Sequence, residues 1–249
     1  MAANLRVMSY NVHSCVGSDL RLNPERVLRI IEQWAPDILA LQELDIGQSR
    51  TRGLDQPGFF ARNTSMNLHF VPARGNGDEH YGNAILTRWP SRLLRSGCLP
   101  RLHDVCEPRA AMWVAVDTPL GELHLLNVHL GLQRRERGMQ AEALLGPEWL
   151  TDPRCGSLAI LCGDLNATPG SAVYTNVNQR MNDVQNAFGG APRATFPALW
   201  PLVRIDHVFV SPALRVVNVA VPASLQARLA SDHRPIVADV ALADSRRPA

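Results

Sequence analysis

The chain has 249 residues, is 46% hydrophobic and 19% charged, and no Ser/Gly-rich linker or charge run divides it, so one large domain is expected. A net charge of +2 supplies no strong field for capturing polyanions without specificity. No lysine occurs anywhere; every one of the 25 basic side chains is arginine, which excludes lysine Schiff-base and lysine general-base mechanisms.

Strand-like and helix-like segments alternate along the chain. "LRVMSYNV" near the start predicts a strand. In "NPERVLRIIEQWAPD", Asn23 is a helix N-cap with Pro24 in the first turn. Val27, Ile30, Ile31 and Trp34 share one face, and Pro36 ends the helix. "DILALQE" is a short apolar strand of the kind buried on both faces. Residues 46–80 have weak periodicity and predict loops around a short helix near 57–68. "YGNAILTRWP" predicts a strand, "RAAMWVAVDTPLGELHLLNVHL" a hairpin, and "RRERGMQAEALLGPEWL" a helix. "LAILCGDLNATPG" begins as a buried strand and breaks into Gly-Asp-x-Asn and a Thr-Pro-Gly turn. "IDHVFVS", "VVNVAVP" and "DHRPIVADVAL" supply three further β segments, and "ADSRRPA" predicts a frayed end.

One internal echo appears: "VMSYNVH" and "LHLLNVH" are both apolar strands ending in Asn-Val-His. The halves 1–120 and 121–249 show similar strand–helix–strand order, which suits two sheets packed face to face. Cys15, Cys98, Cys106, Cys155 and Cys162 are odd in number and form no CxxC pair, so neither a disulfide scaffold nor a structural zinc site is expected. Cys162, inside an apolar run, reads as a small core residue. The N-terminal segment lacks a signal-peptide pattern, and no apolar run approaches the roughly 20 residues of a spanning helix, so a cytoplasmic protein is expected.

Asn11, Glu43, His129, Asp164, Asn166, Asp206, Asp232 and His233 all fall at or just beyond the ends of apolar strands. Strand ends in α/β proteins aim side chains into a common crevice. A carboxylate buried there is costly unless paired, protonated or bound to metal, so this pattern calls for a cation and a charged substrate. Each residue alone also has a structural reading: Asn11 could cap a turn, Asp164 a helix, and Asp206 could be a surface charge. His13, His69, His80, His103, His124 and His207 taken singly read as structural.

The ordered set "SYNVH" (9–13), "LQE" (41–43), "NVHL" (127–130), "GDLN" (163–166), "RIDHVFV" (204–210) and "SDHRPI" (231–236) resembles the endonuclease/exonuclease/phosphatase superfamily of DNase I-like enzymes, over about residues 5–241. The resemblance implies a four-layer α/β/β/α sandwich, with two mixed sheets face to face, helices outside and the active site at one rim. It implies that Glu43 ligates Mg²⁺ or Mn²⁺ with Asn11 beside it, and that Asp232 adds a second acidic group to the metal region. His233 would pair with Asp206, Asp164 and Asn166 would position or deprotonate the attacking water, and His129 would donate to a phosphoryl oxygen. Whether Asp164 or His233 is the base stays open at this point. Arg109 in "EPRAAMWV" is a candidate phosphate clamp, and Asn83 in "YGNAIL" a candidate hydrogen-bonding group of the site.

Such donors suit the chemistry: a hard cation prefers oxygen ligands, and charge grows on the phosphoryl oxygens in the transition state. Abasic-site nucleases of this group carry Lys after the glutamate motif, whereas this chain has "QELD" and few aromatic residues, so nucleic acid is not the favoured partner. The pattern looks most like bacterial stand-alone members, implying a small or lipid-linked phosphodiester or phosphomonoester. The alternatives are a DNA or RNA nuclease of the same group, or an inactive member serving as a binding module. A binuclear metallophosphatase would need an N-terminal Asp-x-His and a later Gly-Asn-His, and the chain has neither.

Overall fold

The computed structural model describes residues 4–243. The elements in its first part are β1 (Leu5–Asn11), α1 (Pro24–Trp34), β2 (Ile38–Ile46), α2 (Gln56–Thr64), β3 (Asn67–Asn76), β4 (Glu79–Thr87), β5 (Ser91–Cys98), β6 (Ala110–Thr118) and β7 (Gly121–His129). Then follow α3 (Arg134–Leu144), β8 (Ala159–Asp164), α4 (Ala172–Asn178), β9 (Asn182–Asp183), α5 (Val184–Phe188), β10 (Asp206–Val210), β11 (Leu214–Ala220), α6 (Leu225–Ala230) and β12 (Ile236–Leu242).

The strands form two six-stranded mixed sheets, ordered β11-β12-β1-β2-β4-β3 and β5-β6-β7-β8-β10-β9. Val7, Ile38, Ile85, Met112, Leu125, Ile160 and Val208 meet in the core between them. The alternate residues Met8, Tyr10, Leu39 and Leu41 turn outward onto α1, α2 and α6. On the other side Trp113, Leu126, Leu161 and Phe209 turn outward onto α3 and α4. Burial on both faces makes the central strands read as continuous apolar runs. The layering is the four-layer α/β/β/α sandwich.

Helix α1 forms as its sequence dictates. The Asn23 side chain accepts from Arg26 N–H, and Val27, Ile30 and Ile31 are buried. Ala35 closes the helix in the left-handed region, donating to Ile31 O. Two edge strands, β3 and β5, lie where the sequence showed loops or nothing. Both expose much of their length, so their alternation is weak, and β3 carries Pro72, which only an edge strand tolerates. The short helices α4 and α5 were likewise unread. Neither half of the chain maps onto one sheet, because the first sheet draws β1–β4 and β11–β12 from both ends and encloses nothing of the middle. The Asn-Val-His echo nevertheless has a structural counterpart. β1 and β7 hold equivalent central places, each flanked by a parallel strand and an antiparallel one. From residue 244 on, the end read as frayed lies outside the described residues.

Gly163 shows how tightly the two central strands approach. Its φ is +138°, and a Cβ there would lie 1.9 Å from Val128 O. Gly163→Ala is expected to cost about 3 kcal/mol or more, because backbone on the neighbouring strand has no freedom to yield. Urea denaturation measures it, and a loss below about 1 kcal/mol would contradict this packing.

Candidate active site

The core between the sheets turns polar at one end. Register brings the groups into line: His129 pairs with Asp164 across β7/β8, and Asp206 pairs with Asp164 across β8/β10. In the facing sheet, Asn11 ends β1 opposite Gln42. A bulge between Leu41 and Leu44 puts Glu43 at φ +62°, an uncommon backbone for this residue type that aims its carboxylate into the opening. The result is an open cleft of about 590 Å³.

Asn11 joins the two sheets at the floor of the cleft. Its Nδ2 donates to Glu43 Oε1 (2.8 Å) and Asp164 Oδ2 (3.0 Å). The His13 N–H donates to Asn11 Oδ1 (3.0 Å), which fixes the amide with nitrogen toward the carboxylates. That N–H is placed by three successive non-glycine residues with positive φ, His13, Ser14 and Cys15. Such a left-handed run is unfavourable, and a set of bonds holds it: Cys15 N–H to Val12 O, Gln56 Nε2 to Ser14 O, and Arg50 Nη2 to Ser14 Oγ.

His233 Nδ1 lies 2.9 Å from Asp206 Oδ2 and 3.1 Å from Oδ1, and its Nε2 lies 3.7 Å from Asp164 Oδ2. Burial by itself lowers the imidazole pKa. The charge and hydrogen bond of Asp206, with Asp164 and Asp232 behind them, outweigh it and raise the pKa to about 10. Phe196 packs on the ring, with centroids 4.8 Å apart. Asp164 also rises, well above an ordinary carboxylate. Burial and the charge of Asp206 raise it to about 7, against the opposing pull of His233, the Asn166 N–H and Asn11. Asn166 N–H donates to Asp164 Oδ1 at 2.8 Å.

Arg109 Nη1 donates to His129 Nδ1 (3.1 Å), and a guanidinium never accepts, so the neutral imidazole carries its proton on Nε2. That nitrogen lies 3.5 Å from Asp164 Oδ2. Burial, with the charges of Arg109 and His233, holds the His129 pKa well below the ordinary value. The Asn166 amide sits 3.2 Å from the same nitrogen and donates to Leu130 O (2.9 Å).

The structure thus gathers Asn11, Glu43, His129, Asp164, Asn166, Asp206 and His233 at one place. Asp232 lines the same cleft, half-exposed, with its Oδ1 3.6 Å from His13 Nδ1. Arg109 also lines it, buried and paired with Glu107 at 2.9 Å. Asn83 does not line the cleft: its Nδ2 donates to Ala110 O, tying β4 to β6 across the sheet gap. Sequence reasoning passed over His13, Arg50, Tyr81, Glu107 and Phe196, all of which line the opening. It also passed over Asn127, which binds Leu41 O, Ala84 O and Gln42 across the gap. The echo of Asn11 in Asn127 was the one signal that could have found it.

Glu43, His129 and Asp164 offer ligand atoms within 4.8 Å of one another, and Asp164, Asp206 and His233 form a second such group. These groups hold three carboxylates, Glu43, Asp164 and Asp206, and Asp232 lines the cleft beside them, so the donor set fits a divalent cation.

The model of the Endonuclease/Exonuclease/phosphatase family matches residues 8–233. The chain belongs to this family. It is similar to the uncharacterized protein YbhP of Escherichia coli (strain K12), with 30% identity over 166 residues, 66% of this chain and 64% of that protein. It is also similar to exodeoxyribonuclease III of Haemophilus influenzae, with 25% identity over 49% of this chain and 40% of that one. Among solved structures, the Bacteroides thetaiotaomicron mannosyl-6-phosphatase Bt3783 superposes with a TM-score of 0.76 at 21% identity, covering 96% of this chain and all of its own. The family is one of hydrolases that act on phosphate ester bonds. No helix among the described residues is long and apolar enough to cross a membrane.

Proposed function

We propose that this protein is a divalent-metal-dependent phosphoesterase that hydrolyses a small or lipid-linked phosphodiester or phosphomonoester by attack of an activated water. The observation that carries the reading is the row Asp206–His233–Asp164, with Asn11 linking Asp164 to Glu43. Glu43 would anchor Mg²⁺ or Mn²⁺, beside Asn11 and with Asp232 as a further oxygen donor. When bound, that ion neutralises charge building on the phosphoryl oxygens.

The side chains divide the remaining work by their protonation. His233, cationic at neutral pH, is the donor to a phosphoryl oxygen, and Asp206 holds its ring in place and keeps it charged. Asp164, with a pKa near neutrality, takes the proton of the attacking water, and Asn166 and Asn11 hold its two oxygens. His129 offers a neutral Nε2–H to the same region, oriented by Arg109. A cytoplasmic, reducing location belongs to the same reading and is supported by five free thiols.

Hydrolysis of bis-p-nitrophenyl phosphate is expected with Mg²⁺ or Mn²⁺ and not with EDTA. Turnover that is indifferent to EDTA would overturn the metal assignment, and no turnover with any divalent ion would point to a binding module. The relative named as an exodeoxyribonuclease favours including duplex and single-stranded DNA in the substrate panel. Cleavage of DNA in preference to small phosphodiesters would select the nuclease reading.

A further inference from the structure

Exposed leucines scattered singly over a surface need no explanation, but here most stand on segments that also line the cleft. Among the described residues, six large apolar side chains are more than 70% exposed: Leu20 (85%), Val105 (90%), Leu132 (72%), Trp200 (77%), Leu202 (80%) and Leu225 (71%). Five of the six lie in the cleft lining or within four residues of it. Leu132 lines it, Leu20 follows Val16, Val105 precedes Glu107, Trp200 follows Phe196, and Leu202 precedes Ile205.

The segment Phe196–Val203 is firmly built. Phe196 and Val203 exchange backbone hydrogen bonds, Ala198 N–H donates to Asp232 O, and Arg234 Nε donates to Ala198 O. Its base is therefore fastened to the chain beside His233, while Trp200 and Leu202 project outward. Leu20 stands on a similar short turn, closed by the Val16–Leu22 bridge, with φ of +60°. An apolar side chain held outward in the left-handed region costs free energy that solvent alone does not repay.

The cleft lining itself is mixed in charge, with Glu43, Glu107 and Asp232 beside Arg50 and Arg109, but three further arginines on the neighbouring segments carry no paired acid. Arg134 and Arg135 directly follow the Leu132 turn, and Arg193 precedes the Phe196 segment. All three are exposed and pair with no carboxylate among the described residues. The acids nearest Leu20 and Val105 are matched: Asp19 by Arg26 and Asp104 by Arg101. From Phe188 to Asp232 the acidic residues are Asp206, buried against His233, and Asp232, half-exposed beside His13.

Trp and Leu side chains set among free arginines match the interface of an anionic bilayer, where rings sit at headgroup depth, aliphatic chains enter the acyl region and arginines meet phosphates. A single-stranded nucleic acid fits less well: it needs ring faces for stacking, and four of the five projections are aliphatic. The geometry points to a membrane-docking surface around the mouth of the cleft, through which the enzyme takes a phosphoester borne by an anionic lipid bilayer. This inference rests on the phosphoesterase reading and names the surface on which it acts.

The test is co-sedimentation with phosphatidylglycerol-containing vesicles and with pure phosphatidylcholine vesicles, run beside bis-p-nitrophenyl phosphate turnover. Wild-type protein is expected to pellet with the anionic vesicles. The Trp200→Glu/Leu202→Glu protein is expected to lose about tenfold or more of that partition while keeping its turnover of the soluble substrate. Arg134→Ser/Arg135→Ser is expected to lose the preference for anionic over neutral vesicles. Should the first variant fail to fold, seen as lost turnover, Leu20→Glu/Val105→Glu makes the same comparison. Active wild-type protein that does not pellet, or variants that pellet undiminished, would overturn the docking surface and leave the phosphoesterase reading standing. So would a Trp200→Glu/Leu202→Glu protein whose loss appears on a single-stranded oligonucleotide in place of vesicles. Wild-type protein without turnover on any substrate would instead sink the reading beneath it.

Discussion

Replacing His233 with alanine is expected to lower kcat on bis-p-nitrophenyl phosphate about a thousandfold with little change in KM, because the donor acts on charge that appears in the transition state. It also leaves Asp206 buried without its cation, which costs about 3 kcal/mol of stability. The double variant Asp206→Asn/His233→Ala removes that orphaned charge, so it regains stability without regaining turnover. Asp206→Asn alone keeps the imidazole but lets its pKa fall from about 10 toward the ordinary range, which ring-nitrogen NMR shifts of the metal-free protein read directly.

The pH dependence follows with a definite sign. Under the proposed roles, turnover is expected to rise with pH through about 7 as Asp164 ionises and to fall near 10 as His233 gives up its proton. Stability follows linkage. The His233 pKa lies above its ordinary value of 6.5, so its contribution is complete below that pH and is lost as pH rises toward 10. Asp164 is raised from 3.8, so its contribution is complete below 3.8 and is lost as pH climbs through about 7. The enzyme is therefore expected to gain activity over the range in which Asp164 makes it less stable. A His233→Ala protein with wild-type kcat, or an unchanged imidazole pKa in Asp206→Asn, would remove the proposed division of roles.

Glu43→Gln is expected to abolish turnover to within about a thousandth of wild type, since it removes the anchoring charge for the cation while keeping an oxygen for Asn11 to bind. Its second signature lies in stability. Binding of a ligand to the native state raises the melting temperature, so wild-type protein should melt higher in Mg²⁺ than in EDTA, and Glu43→Gln should show no such difference. In EDTA the variant should be more stable than wild type by about 1 kcal/mol, because one of the three clustered carboxylates has lost its charge. If Glu43→Gln kept the Mg²⁺-dependent melting shift, the cation would be held elsewhere in the cleft.

The sequence by itself determined the central strands, the helix α1 and the motif order. These are local properties: apolar runs at the right length, an Asn-Pro cap, polar residues at strand ends. The edge strands β3 and β5 escaped because half-exposed residues leave little alternation to read. Tertiary structure decided what depends on register and on approach between the sheets. Asp164 stands between His129 and Asp206 because of strand pairing, not sequence distance. That placement, with Asp206 beside His233, raises both groups, Asp164 to about 7 and His233 to about 10, and the proposed division of their roles rests on those two values. Asn83 bonds across the sheet gap and not into the cleft, while His13, which taken singly reads as structural, is swung into the opening by a left-handed turn held by Gln56 and Arg50. A motif names the groups that can ionise, but burial and neighbouring charge decide which of them do, and both are properties of the assembled fold.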